Sequence, residues 1–414
     1  MNRLSVFQLN AGKEVISSYE KGDKPWHLLF AQPQSGKTDT FYFIGAEMLR
    51  LEKVENVVIL SGADDTQLKT QCKQSFCSTD GSMDFCEKYD RYLETELSFD
   101  RDQRFQIRSN LKSNTHFILG NDLTKPHPYT SKTLFIWDES HYAECINMRP
   151  FKFFKNIGIN CNGKNVPNNN FVLSVSATPF SELSHILNSV DEPFKGKSFL
   201  KTDEQYHGVH SAISKNLIHS FDKLDIRNTL GEILRKYEKP TYAIVRCFDN
   251  INSDYVSSIA KVNGWNVLRC NSDPNNREIK NLRILKEKPS NKTLIIIKGM
   301  CRMGQVIHKE HISFVMETTE DSFTETVIQG LLGRTLGWHN HTIHVYLNNK
   351  IIKRNDIGKY IDLINGKEIL PKKGRNINTL GTNNCDVFCG GQKLPGPYKK
   401  NDVFRKWLFE RIYM

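Results

Sequence analysis

The sequence predicts an α/β chain of two parallel-sheet units in tandem, followed by a small C-terminal extension. Three observations predict it. Short apolar runs recur at 27–33, 57–62, 117–121, 134–139 and 171–177, separated by longer mixed segments such as 38–53. Continuous apolar runs of strand length, parted by stretches of helix length, are the pattern of a sheet covered on both faces. The signal weakens from Asp191 to Lys239 and then resumes in Tyr242–Phe248, Trp265–Leu268, Thr293–Ile297, Ile312–Met316 and Ile343–Leu347. A chain of 414 residues is long enough for two ordinary domains and an appendage. The expected division is 1–205, 206–352 and a basic extension over 353–414.

Taken in order, the first run leads directly into Ala31-Gln-Pro-Gln-Ser-Gly-Lys-Thr38. A loop of this kind between a strand and a helix points backbone N–H groups at phosphates. Ser35 and Gly36 belong to the cradle, Lys37 neutralises the phosphates, and the Thr38 hydroxyl holds Mg²⁺. Ala31 stands where the usual pattern has its first glycine. Residues 72–112 are charged and aromatic and interrupt the strand pattern; they are read as an insertion, with Glu87–Arg108 helical. The run Leu134–Trp137 then delivers Asp138-Glu-Ser-His141 to a strand's C-terminal edge, where α/β sheets bind their ligands. Asp138 suits a metal-organising carboxylate, and Glu139 one that orients or deprotonates an attacking water. A Gly-Lys-Thr tripeptide or an acidic pair alone is common; the conjunction points to ATP and Mg²⁺. Asn160–Asn170 is a loop by composition. Beyond Asn348 the chain is basic and turn-rich, closing in an amphipathic stretch, Val403–Tyr413.

Net charge is +11 with a pI near 9.0, a balance that suits a polyanion such as nucleic acid. No lysine/arginine run forms a disordered basic arm, so the charge is spread over folded surfaces. No apolar stretch approaches the ~20 residues of a membrane span, and the N-terminus is not that of a signal peptide. A soluble, intracellular protein without membrane association is expected. Ten cysteines are scattered. Cys72, Cys77 and Cys86 come closest to a cluster and Cys385 and Cys389 form a pair, but neither has the tight pairing zinc favours, and reduced thiols are the expectation. Trp26 and His27 are read as packing residues.

Three further strings fix the class. Ser176-Ala-Thr-Pro179 follows an apolar run, Lys298-Gly-Met-Cys-Arg-Met-Gly-Gln305 follows another, and Gln329-Gly-Leu-Leu-Gly-Arg-Thr335 comes next. In order, the series resembles the motifs of superfamily 2 helicases and translocases of the DExH group, over roughly residues 25–350. The general look is that of compact members from phages and large DNA viruses. The resemblance implies two RecA-like P-loop lobes, with ATP in the cleft between them and nucleic acid across both. It makes Lys37 and Thr38 ligands of phosphate and Mg²⁺, and Asp138 and Glu139 the metal-organising and catalytic carboxylates. His141, Ser176 and Thr178 would couple ATP state to lobe movement. Gln329 and Arg334 match the last motif, whose arginine reaches the γ-phosphate on closure. Ser61 with Gly62, Asn121, Arg246, and Lys298 with Gly299 would face nucleic acid, and Gln8 is the counterpart of an adenine-reading glutamine.

Departures matter too. Gln329 and Gly333 are separated by three residues instead of two, and Gly337 stands where the family's finger arginine falls. Arg334 is left as the nearby finger, with Arg302 as a fallback. DNA is favoured over RNA by family likeness alone, and a protein partner is an alternative. Two rival readings stay open. A packaging-type ATPase with a fused nuclease would need carboxylates such as Asp356, Asp362 and Asp386. A non-catalytic scaffold on the same fold would need no hydrolysis.

Overall fold

The computed structural model describes residues 3–22, 24–61, 66–78, 84–140, 148–161, 163, 165–187, 195–299, 307–319, 324–367 and two two-residue strands, 388–389 and 392–393. The chain divides into two compact units, Met1–Asp203 with Gly374–Met414, and Glu204–Lys373.

The first unit is a six-stranded parallel sheet of β1 (Trp26–Ala31), β2 (Asn56–Ser61), β3 (Thr115–Leu119), β4 (Thr133–Asp138), β5 (Phe171–Ser176) and β6 (Lys195–Leu200). The spatial order is β3-β2-β4-β5-β1-β6. Alternate residues of one strand serve opposite faces. Leu134 and Ile136 of β4 join one core with Ile16, Phe43 and Tyr89, while Phe135 and Trp137 join a second with Trp26, Phe153 and Phe154. Burial on both faces is why these strands read as continuous apolar runs.

Its helices are α1 (Val6–Glu20), α2 (Lys37–Arg50), α3 (Thr66–Phe76), α4 (Phe85–Thr95), α5 (Arg101–Ser113), α6 (Arg149–Asn156) and α7 (Phe180–Leu187). Helices α3 to α5 form the crossover that any two adjacent parallel strands require, here β2 and β3. The stretch 72–112 lies within that connection. Glu87–Arg108 is two helices, not one. The backbone turns at Ser98 (φ 57°), and Asp100 then starts α5 with a capping box in which it and Gln103 satisfy each other's backbone N–H.

The second unit holds β7 (Ile218–Phe221), β8 (Tyr242–Arg246), β9 (Asn266–Asn271), β10 (Thr293–Lys298), β11 (Ile312–Glu317) and β12 (His344–Asn348), all parallel in the order β7-β12-β11-β8-β10-β9. Its helices are α8 (Val209–Ser214), α9 (Ile226–Arg235), α10 (Asn250–Val262), α11 (Thr324–Gln329), α12 (Leu331–Thr335), α13 (Asn349–Lys353) and α14 (Asp356–Ile364). Of these, α14 belongs to the expected extension; the amphipathic stretch 403–413 lies outside the described residues. Two tandem α/β units with parallel sheets are thus the fold the sequence predicts. No helix among the described residues is long and apolar enough to cross a membrane.

Candidate nucleotide site

Adjacent strands β4, β5 and β1 bring three strings to one sheet edge. Phe30 pairs with Ser176 and Asp138 with Val175, so the loop after β1, the carboxylates at the end of β4 and the Ser176–Thr178 segment emerge side by side. Gly36 closes the loop with a left-handed backbone (φ 94°) and starts α2. A Cβ there would lie 2.6 Å from the Gln8 side-chain amide, which donates to the Gly36 carbonyl at 3.0 Å. The Gln8 Oε1 meanwhile accepts from the Ser5 N–H at 2.8 Å, and Gln8 is buried. The expected adenine reader therefore braces the phosphate loop from α1. Ser35 is also buried, with its hydroxyl donating to the Gln32 carbonyl at 2.7 Å. Thr38 is half-buried in the first turn of α2.

Lys37 lies among carboxylates. Its ammonium hydrogen-bonds the Glu139 carboxylate and stands 3.7 Å from Asp138 Oδ1. Burial disfavours the Lys37 ammonium, but the Glu139 and Asp138 charges outweigh it, and its pKa is raised. Burial, more than the neighbouring Glu139 charge, pushes Asp138 up to about 6 against the pull of Lys37. Glu139 occupies a left-handed backbone position (φ 54°), sparsely populated for such a residue, and its N–H donates to Asp138 Oδ1 at 3.0 Å. Ser176 and Thr178 are fully buried, with the Thr178 N–H donating to Ser176 Oγ at 3.0 Å. His141 lies outside the described residues. Cys72, raised to about 12 chiefly by burial, feels the charges of Asp138, Lys37 and Glu139, which places an inert thiol near this centre.

In the second unit, Gln329 ends α11 and Arg334 lies in α12, both buried. Burial and the nearby Arg334 charge push Lys309 down to about 8. Arg246, expected to face nucleic acid, instead donates to the buried Glu317 at 3.1 Å. Its guanidinium also lies 2.8 Å from where a Cβ on Gly330 would be, so it props the turn between α11 and α12. Lys298 reaches Asn250 Oδ1 at 2.5 Å and Gly299 follows at φ 62°. Ser61 is buried at the end of β2, whereas Asn121 is exposed in the short 3-10 turn Gly120–Thr124. Arg302 and Gly62 lie outside the described residues. Among the described residues no group of three or more His, Cys, Asp or Glu is placed to hold a metal ion.

A family model, the res subunit of type III restriction enzymes, matches residues 3–181, which run from before α1 to the start of α7. Among solved structures, the DEAD-box helicase Mss116 bound to ssRNA and UDP-BeF covers 99% of this chain and 78% of its own, with a TM-score of 0.52 at 14% identity. The likeness is one of fold: two parallel α/β units in tandem, as in that helicase. A type ISP restriction-modification enzyme, LlaBIII bound to DNA, covers 83% of the chain and 27% of its own length, with a TM-score of 0.48 at 14% identity. The uncharacterized protein L594 of Acanthamoeba polyphaga mimivirus is 25% identical over 233 residues, 52% of this chain. The match spans 56% of that viral relative's length.

One element of the first unit escaped the sequence reading. Glu182, on α7 just past the Ser176–Thr178 string, accepts through one oxygen from Trp26 Nε1 at 3.0 Å, Ser174 Oγ at 2.8 Å and Lys195 Nζ at 2.8 Å. Trp26 was correctly read as packing, but no local signal joins a glutamate on α7 to a lysine on the edge strand β6.

Proposed function

We propose that the chain is a nucleic-acid-dependent ATPase, a helicase or translocase that moves along nucleic acid, with DNA favoured over RNA by family likeness. The observation that carries this reading is the convergence of Lys37, Asp138 and Glu139 at the sheet edge beside Ser176 and Thr178.

The residues fit Mg–ATP. Gly36 sits at the start of α2, where helix N–H groups suit a phosphate, and the half-buried Lys37 ammonium is a phosphate ligand now engaged by carboxylates. Thr38 and Asp138 would hold the magnesium, and the bound triphosphate supplies the bond that is broken. Lys37 cannot serve Glu139 and a phosphate equally. Its transfer from the carboxylate to phosphate would free Glu139 to orient water, so that the base becomes available only in the loaded site. Ser176 and Thr178 are proposed as the coupling segment, and Gln329 and Arg334 as the second unit's contribution to hydrolysis.

The fused-nuclease alternative finds no support in the described carboxylates. Asp356 is buried and held by Thr324 at 2.9 Å and Arg354 at 2.9 Å, and Asp362 is paired with Lys367.

The test is steady-state ATPase activity with no polymer, single-stranded DNA, duplex DNA and RNA, alongside Lys37→Ala and Glu139→Gln. Stimulation by a polymer, lost in both variants, is expected. Hydrolysis indifferent to every polymer would overturn the nucleic-acid reading, and no hydrolysis under any condition would overturn the enzymatic one.

A further inference from the structure

We propose that Phe248, with Ile251 beside it, is a base-stacking platform, and that the second unit therefore holds its nucleic acid as a single strand. This inference rests on the proposed function and names the form of its substrate.

Phe248 lies two residues past the end of β8 and is 77% exposed; Ile251, in the first turn of α10, is 82% exposed. Their exposure has a local cause. A large apolar residue just before a helix cap usually packs on the fourth helical residue. Asp249 is the cap of α10, accepting from the Asn252 N–H, and the fourth residue is the small, buried Ser253. Phe248 therefore has no staple partner on its own helix. Tyr255, four residues beyond Ile251 and 41% exposed, extends the same helix face.

The place is as telling as the exposure. Cys247 N–H donates to the Ile297 carbonyl at 3.0 Å, which fixes Phe248 beside the end of β10, and Lys298 there reaches Asn250 in the first turn of α10. Ring, aliphatic side chain and ammonium thus stand together at the strand ends where α/β sheets bind ligands. Among the described residues of this rim, Arg246 is committed to Glu317, and the N-terminus of α10 is occupied by the Asp249 carboxylate. Asp254 on the exposed face is paired with Arg269 at 2.8 Å, so it opposes a polyanion less than a lone carboxylate would. A surface of broad apolar area whose arginines are already paired grips a polyanion through its bases. Every base has a face to stack, and those faces are open in a single strand and closed in a duplex.

The test is fluorescence anisotropy with the full chain. The probes are a single-stranded DNA oligonucleotide, the same strand made abasic over its central nucleotides, the matching duplex, and single-stranded RNA. The unchanged protein is expected to favour the intact single strand over the abasic one. Phe248→Ala should bind the intact strand roughly ten-fold more weakly and lose that preference, whereas Phe248→Trp should keep it. An unchanged melting temperature for both variants, expected at so exposed a position, separates lost stacking from misfolding. If the chain binds single strands but Phe248→Ala matches it on every probe, the platform is wrong and the motor reading stands. If Phe248→Ala instead abolishes self-association with nucleic-acid binding intact, the patch is a protein interface and the proposal falls. If the unchanged chain binds no nucleic acid, the function reading fails and takes this one with it.

Discussion

Replacing Glu182 with Gln should destabilise the first unit by about 3–4 kcal/mol. The pair it breaks is almost fully enclosed, with Lys195 and Glu182 side chains 4% and 5% exposed. Removing one partner of a buried ion pair costs about 3–5 kcal/mol, because the other charge is left without compensation. Gln retains an oxygen for the Trp26 and Ser174 donors, so the charge is what the substitution isolates. For a unit of this size the loss corresponds to a drop in melting temperature of roughly 6–16 °C. Differential scanning fluorimetry would read it. Adding Lys195→Met should recover most of the deficit. A deficit below about 1 kcal/mol, or a double variant no better than the single, would refute the argument.

Two further effects follow from buried groups. Burial, reinforced by the Lys24 charge, lowers the His27 pKa to about 4, so the fold favours neutral imidazole. Its stabilisation is fully present above the unfolded value of ~6.5 and is lost as pH falls towards 4, to a total of roughly 3 kcal/mol. Urea titrations between pH 7 and 4 should show a steeper loss for the unchanged protein than for His27→Gln; equal slopes would contradict it. Gly36→Ala places a side chain at positive φ and against the Gln8 amide. Roughly 1–2 kcal/mol of backbone strain and a weaker hold on ATP are expected, read by thermal melts and nucleotide titration. Adding Gln8→Ala should relieve the contact but leave the strain; full rescue would show that the backbone argument is mistaken.

Ten strands were legible, among them all eight interior ones, whose burial on two faces writes continuous apolar runs into the sequence. The two that were missed, β6 (Lys-Gly-Lys-Ser-Phe-Leu) and β7 (Ile-His-Ser-Phe), lie at sheet edges and mix polar with apolar side chains, so no continuous apolar run marks them. The loop after β1 and the Asp138–Glu139 pair were legible as local strings tied to strand ends. Roles set by tertiary neighbours were not. Arg246 reads as a free cation after a strand until Glu317, far along the chain, claims it. The contact of the Gln8 amide with the Gly36 carbonyl depends on how α1 packs, which no local string shows. The ring at Phe248 was visible in sequence, but its exposure depends on what the fold leaves uncovered.

Those sheet edges have a consequence for how the protein behaves at high concentration. Unpaired strand edges invite pairing with another molecule, and charged side chains are a common guard against it. Each edge strand of the two six-stranded sheets carries a basic residue: Lys197 on β6, Arg269 on β9, His116 on β3 and His219 on β7. Of these, the two histidines are not permanent guards. Burial lowers both their pKa values, so at neutral pH β3 and β7 stand without charge from these side chains. Colloidal stability should therefore depend on buffer in an uneven way. Edge-to-edge association at neutral pH would start from β3 or β7, and mild acid would suppress it there while leaving β6 and β9 unchanged.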